Sequence, residues 1–262
     1  MSHLPISRAL PTALLLPLLA GYAHTANAQT LIENSVEAQF QLDVHVPDAA
    51  LAPLIPAGFT LNVSQQGAAA RANLRVLFVD RLTIHNGEGQ PVGNGSDRTV
   101  YMIAPVQDPA GNNAQLVIGG ITTDTDDPAG PFGNYLTATS HSMTRSVATE
   151  RDGTVVETQE WSFGAAGGEH INMSITFERG VGNRGNPNEV RFYSAQNPSV
   201  SQISRQERVL EILRNVTTTP PDRVREFSFD AGGGSYAALF DGTEEMLSWD
   251  NIIWAYRAVL QP

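Results

Sequence analysis

His141 is the side chain whose type best suits it to move a proton near neutral pH. It stands in the stretch TSHSMTRS, between Ser140 and Ser142, with Arg145 four positions further on. An imidazole titrates close to neutrality and serves as general acid or base. A guanidinium can hold a carboxylate through two parallel hydrogen bonds. Tyr101, in RTVYMIAPV, offers a phenol that could orient a carbonyl oxygen. Arg71 and Arg75 would point the same way from the strand containing LRVLFVD, as possible pocket cations. The candidate catalytic set is therefore His141, Arg145 and Tyr101. Arg75, Ser142 and Tyr135 are the candidate substrate-binding groups. Each has an ordinary competing role: a histidine bonded at a strand end, a packed tyrosine, an arginine on a wet face.

Other spacings argue against particular chemistries. All 16 basic residues are Arg, so there is no Lys, and there is no Cys. No Schiff base can form through a lysine, and no thiolate can attack substrate or bind metal. Asp124, Asp126 and Asp127 could begin a calcium site, but no Gly or distal Glu completes an EF-hand loop. His45, His85, His141 and His170 fall in no zinc-protease spacing. Ser235, in GGSYA, lacks the helix that must follow a nucleophile elbow. Trp161, Trp249 and Trp254 read as packing groups before sugar platforms. No metal and no cofactor are expected.

The chain has 262 residues and a formal charge of −11, with 41% apolar and 16% charged residues. That charge argues against nucleic acid and against anionic membrane surfaces. A chain this long can bury roughly 70–75% of its unfolded surface without staples. Residues 1–28 read as a secretory signal. Arg8 precedes an apolar run from Ala9 to Ala23, and Ala26-Asn27-Ala28 supplies small residues for cleavage. Secretion or a periplasmic location is expected, followed by one β-rich domain over 29–262. No later stretch is long and apolar enough to span a membrane.

The elements that must hold the candidate groups are mostly strands. Val36, Ala38, Phe40, Leu42, Val44 and Val46 alternate with Glu37, Gln39, Gln41, Asp43 and His45. That spacing predicts a strand with one face in the core and one in water. A short helix is expected over Ala49–Ile55, and a long strand over Ala72–Ile84. RTVYMIAPV and AQLVIGGIT should form a hairpin about Asp108–Gly111. In the first of these, Tyr101 and Ile103 share one face, while Val100 and Met102 share the other. After a loop over Thr123–Asn134, strands are expected at Met143–Arg151, Thr154–Phe163 and His170–Glu178. Asp152-Gly153 is a hairpin turn between the first two. VRFYS adds a short strand. Ser204-Arg205-Gln206-Glu207 fits a capping box and predicts a helix burying Val209, Leu210 and Leu213. A rigid spacer at Thr217–Pro221 leads to strands at Arg225–Asp230, Ser235–Phe240 and Trp254–Leu260. One or two helical turns are expected at Thr243–Asn251. The count favours a single, mostly antiparallel β-barrel or sandwich.

The order of these segments resembles the acetoacetate decarboxylase family. PDAALAPLIPAGFTL after an opening strand is similar to that family's short helix with its leucine, proline and glycine. LRVLFVD, RTVYMIAPV and GPFGNYLTATSHSMTRSVAT are similar to its next strand, its aromatic-rich strand and its catalytic loop. SYAALF and WAYRAVL resemble its closing strands. The resemblance implies a cone-shaped antiparallel β-barrel with few helices and a buried pocket, lined by the strand carrying Tyr101. It also implies a catalytic lysine, and here His141, Ser142 and Met143 stand about where that lysine would be. Imine-based decarboxylation is therefore excluded.

Two functions remain open. One is acid–base chemistry on a small carbonyl compound or carboxylic acid, lyase- or isomerase-like. His141 would move the proton, Arg145 would hold the carboxylate and Tyr101 would orient the oxygen. The other is a binding protein that retains a small apolar ligand without chemistry. A plain adhesive β-sandwich is a weaker third reading, and it requires no enclosed pocket.

Overall fold

The computed structural model describes residues 29–217 and 222–261. The expected signal segment and most of the 217–221 spacer lie outside the described residues. Strand β1 (Thr30–His45) leads into helix α1 (Asp48–Leu51) and a 3-10 turn (Ala52–Leu54). There follow β2 (Thr60–Leu61), β3 (Leu74–Asn86), β4 (Asp97–Gln107), β5 (Asn113–Thr122) and β6 (Tyr135–Thr149). Next come β7 (Val155–Ala165), β8 (His170–Glu178), β9 (Asn183–Arg184), β10 (Asn188–Ser194) and β11 (Ser201–Asn215). The chain ends with β12 (Val224–Gly232), a 3-10 turn (Gly234–Tyr236) and β13 (Glu245–Gln261).

Seven strands close into a barrel in the order β5-β10-β11-β13-β1-β3-β4, with β4 pairing back onto β5. Its neighbours are antiparallel except β10 with β5. A parallel contact between β5 and β6 carries the sheet out of the barrel into β6-β7-β8-β12, a four-stranded antiparallel layer. The mostly-β barrel expected from the sequence is therefore the fold.

The two faces of the barrel strands bury different things. Outward residues Phe40, Leu42, Val76, Phe78, Val100 and Met102 meet Trp161, Phe163, Ile175 and Phe177 of the outer layer in one apolar core. Phe78 packs 5.7 Å from Trp161, and Phe40 packs 6.3 Å from Phe177, joining barrel to layer. A smaller cluster fills part of the lumen: Leu77, Val79, Tyr101, Ile103, Val117, Phe132 and Phe192. The expected division of Tyr101 and Ile103 from Val100 and Met102 thus separates lumen from outer core.

The polar face of β1 does not meet water. Glu37 and Asp43 are 1% exposed, and Gln39 and Gln41 are also buried, because closure turns that face into the lumen. Three further expectations fail. Ser204–Leu213 is strand, not helix, because β11 is paired along both edges, to β10 and β13. The capping-box residues include good helix formers, but two ladders of backbone hydrogen bonds outweigh propensity. Thr243–Asn251 is not helical either, since β13 starts at Glu245 and pairs with both β1 and β11. Ser235–Phe240 is a turn. Gly233 and Gly234 adopt positive φ (71° and 45°), which breaks any strand there. The Tyr236 hydroxyl then donates to Gly120 O at 2.9 Å, and Leu239 and Phe240 enter the core.

Because Phe78 is fully buried where barrel meets layer, Phe78→Ala should lower unfolding free energy by about 3–5 kcal/mol. Urea denaturation checks this. A loss under about 1 kcal/mol would mean the layer is not packed on the barrel as described.

Candidate functional site

β4 and β5 build the centre of the lumen around a missing side chain. Gly120 pairs with Tyr101 on one side and with Tyr135 on the other. A Cβ at Gly120 would lie 2.7 Å from Val100 O and 2.9 Å from Tyr101 Cβ, so only glycine fits this close approach. The Tyr101 and Tyr135 rings stack across it with centroids 6.1 Å apart and planes at 18°. Neither hydroxyl hydrogen-bonds to another described residue. Both tyrosines line a cavity of about 150 Å³, with Val79, Phe132, Phe192 and Val259 as apolar wall.

The polar wall is an ion network. Glu37, from β1, accepts from Arg257 Nε of β13 at 2.9 Å. It also accepts from Ser35 Oγ at 2.6 Å and Gln39 Nε2 at 2.5 Å. Arg81, from β3, bonds Asp97 Oδ2 at 3.0 Å, pairs with Glu33, and lies 3.9 Å from Glu37. Burial alone would push the Glu37 carboxyl up, but Arg257, Arg81 and its two hydrogen bonds together hold it below the ordinary range. Asp97 goes the other way. Burial raises it and Asp124 adds to the rise, with Arg81 only partly opposing. Burial also pushes the Tyr101 hydroxyl up to about 12 and Tyr135 well above the usual phenol value. Both phenols are therefore protonated donors at neutral pH. Asp97 Oδ1 and Arg81 Nε are buried with no hydrogen-bond partner among the described residues, and both side chains line the cavity.

The candidate residues divide between two places. Tyr101 and Tyr135 line the lumen cavity. Arg75 also sits on a barrel strand, but its Nε is bound to Asp43 at 2.7 Å. His141, Ser142 and Arg145 lie on β6, outside the barrel, within a continuous strand and not at a loop junction. Arg145 Nε bonds Glu157 Oε1 at 2.5 Å, and the fully buried Glu157 also takes Arg179, so this guanidinium is occupied. Ser142 is exposed opposite Ser162. His141 is exposed beside a second cleft with Asp97, Asp124, Asp126 and Arg98. Asp97 and Asp124 line both spaces, so the cleft adjoins the cavity mouth. Arg71, outside the candidate set, is on a surface turn, paired with Glu245.

Sequence reasoning missed Glu37, Arg81, Asp97 and Arg257. Two signals were present: single arginines inside apolar strands, in LFVDRLTI and WAYRAVL. Among the described residues no group of three or more His, Asp or Glu side chains could hold a metal ion.

A second polar cluster lies along β1 and β13. Asp250 is pushed up to about 7 by burial and by neighbouring Asp43, against Ser248, Arg75 and Arg208, while Gln41 donates to it at 3.3 Å. A carboxyl raised above its unfolded value favours folding below that value and loses this as pH rises through the folded one. The Asp250→Asn variant should therefore gain thermal stability relative to the parent between about pH 4 and 7, by several degrees at most, and hold the difference above that. A Tm difference independent of pH over this window would contradict the assignment.

No family model matches the chain, and no curated protein sequence matches it. Solved structures do. One is described as an acetoacetate decarboxylase-like enzyme from Sphingomonas wittichii RW1. It is 12% identical, with 89% of this chain and 91% of that one covered, at a TM-score of 0.51. Another is the enduracididine biosynthesis enzyme MppR complexed with pyruvate, 11% identical, with 97% of each chain covered, at a TM-score of 0.51. At such identity the likeness is one of fold. The chain has the acetoacetate decarboxylase-like fold.

Proposed function

We propose that this chain is an exported protein that holds a small carbonyl compound in the lumen of its barrel. The observation carrying this reading is the stacked Tyr101–Tyr135 pair on the cavity wall, with two protonated hydroxyls that no described residue engages. A carbonyl oxygen is an acceptor that suits such donors. The apolar wall of Val79, Phe132, Phe192 and Val259 would cover the hydrocarbon part. The size of the cavity, about 150 Å³, fits a molecule of a few heavy atoms. Export rests on residues 1–28, with Arg8 before an apolar run and small residues ahead of Gln29. The neighbour complexed with pyruvate supports a small oxygen-bearing ligand for this fold.

Acid–base chemistry on the bound compound is the second reading, and a specific observation favours it. Asp97 is raised above the ordinary carboxylate range, its side chain lines the cavity, and its Oδ1 has no hydrogen-bond partner among the described residues. It would be a stronger base than a usual aspartate. In such a step Asp97 takes a proton from the carbon beside the carbonyl, and Tyr101 hydrogen-bonds the oxygen of the enolate that forms. Return of a solvent-derived proton to that carbon regenerates the ketone. His141, near the mouth, would relay protons with solvent. Arg145, bound to Glu157, has no part in this scheme, and neither does Ser142.

Hydroxyacetone is the probe. Titration should show binding that weakens by roughly 3- to 10-fold in Tyr101→Phe, the cost of one lost hydrogen bond. Proton NMR in heavy water should show its α-protons exchanging faster with the protein, and roughly 100-fold slower in Asp97→Asn than in the parent. Binding without accelerated exchange would leave retention as the function. Binding unaffected by Tyr101→Phe would remove the lumen site.

A further inference from the structure

The cavity holds more negative charge than its arginines can match. Five carboxylates line it (Glu33, Glu37, Asp97, Asp124 and Asp127) against the two guanidiniums of Arg81 and Arg257. Both arginines are already committed. Arg257 bridges Glu37 and Glu33, and Arg81 bridges Glu33, Glu37 and Asp97. Asp124 and Asp127 have no cationic partner among the described residues. Asp124 spends one oxygen on the backbone N–H groups of Asp126 and Asp127, which fixes the loop at the mouth without neutralising it. Asp97 is 8% exposed, and its Oδ1 has no hydrogen-bond partner among the described residues. Even with Asp97 protonated, carboxylates outnumber guanidiniums two to one. An anionic ligand would meet uncompensated like charge at short range, which costs more in a partly enclosed site than in water. Four aromatic rings also stand in the wall: Tyr101, Tyr135, Phe132 and Phe192. Aromatic faces attract cations.

We propose that the lumen ligand is a small carbonyl compound that also carries an ammonium group, seated against the Asp97 carboxylate at the mouth beside Asp124 and Asp127. This rests on the carbonyl reading of the same cavity and names the charge class of what fills it. The tyrosine hydroxyls take the oxygen, and Asp97 Oδ1 accepts from the ammonium. Small keto acids are disfavoured by the same count.

The test compares three molecules of similar size that share a carbonyl: aminoacetone, hydroxyacetone and pyruvate. Calorimetric titration at pH 6.5 should rank them in that order, with aminoacetone at least about tenfold tighter than hydroxyacetone. Raising sodium chloride from low to moderate concentration should weaken aminoacetone and leave hydroxyacetone nearly unchanged. The Asp124→Asn, Asp127→Asn double variant keeps the amide oxygens that the loop needs, and should erase most of the preference. Asp97→Asn should do the same, with its folding checked by circular dichroism. Equal binding of the three, or tighter binding of pyruvate, overturns the proposal while leaving the carbonyl reading intact. Ethylammonium binding as tightly as aminoacetone, with no effect of Tyr101→Phe, supports the charge assignment and removes the carbonyl one. Binding of none of these molecules overturns both.

Discussion

Everything in the lumen depends on how Glu37 is held. A carboxylate 1% exposed inside a barrel is costly to desolvate unless it is paired and hydrogen-bonded. Here Arg257 and Arg81 approach from two other strands, and Ser35 and Gln39 donate from the same strand. The contacts tie β1, β3 and β13 together from within, and Asp97 extends them to β4 through Arg81. An all-apolar lumen would collapse onto itself like any packed core. A lumen of paired charges resists that collapse, because each group must keep its partners. The cavity beside Tyr101 and Tyr135 is the space this arrangement leaves.

The division of labour between the two faces of the barrel follows from this. The outer face supplies the folding energy. Phe40, Phe78, Val100 and Met102 pack against the outer layer through Trp161, Phe163 and Phe177. The inner face is thereby free to be polar. The outer layer has buried ionic chemistry of its own in Glu157, but both oxygens of that carboxylate are taken by Arg145 and Arg179. Glu157 is also bonded by Gln159, which in turn accepts from Trp161 Nε1. That network is closed, whereas in the lumen network Asp97 Oδ1 and Arg81 Nε have no hydrogen-bond partner among the described residues. A closed network positions structure, and an open one facing a cavity is where a ligand can complete the bonding.

Much of the fold was legible from the chain alone. The alternation in β1, the hairpin of β4 and β5, and the Asp152-Gly153 turn are local signals, and the order of segments resembled a known barrel. The misread elements, β11 and the first half of β13, share a property. One face of each is polar and wholly or partly buried, so the apolar period that marks a strand is blurred by Gln206, Arg208, Ser248 and Asp250. For the same reason the alternation in β1 predicts a half-wet strand: period two tells which residues share a face, not whether a barrel closes over it. The site was legible in part. Tyr101 and Tyr135 lie on segments whose order suggested a pocket. Glu37, Arg81, Asp97 and Arg257 come from four strands far apart in sequence, and only closure brings them together. His141 and Arg145 drew attention through their types and through the place of a lysine in the resembled family, but β6 leaves the barrel after its first few residues.

The central claim is that ligand occupies the lumen and not the face of β6. Intermolecular nuclear Overhauser effects between bound hydroxyacetone and the protein test it most directly. The account predicts contacts from its methyl group to the ring protons of Tyr101 and Tyr135, and none to His141 or Arg145. Contacts to His141 and Arg145, with the tyrosine rings silent, would contradict it.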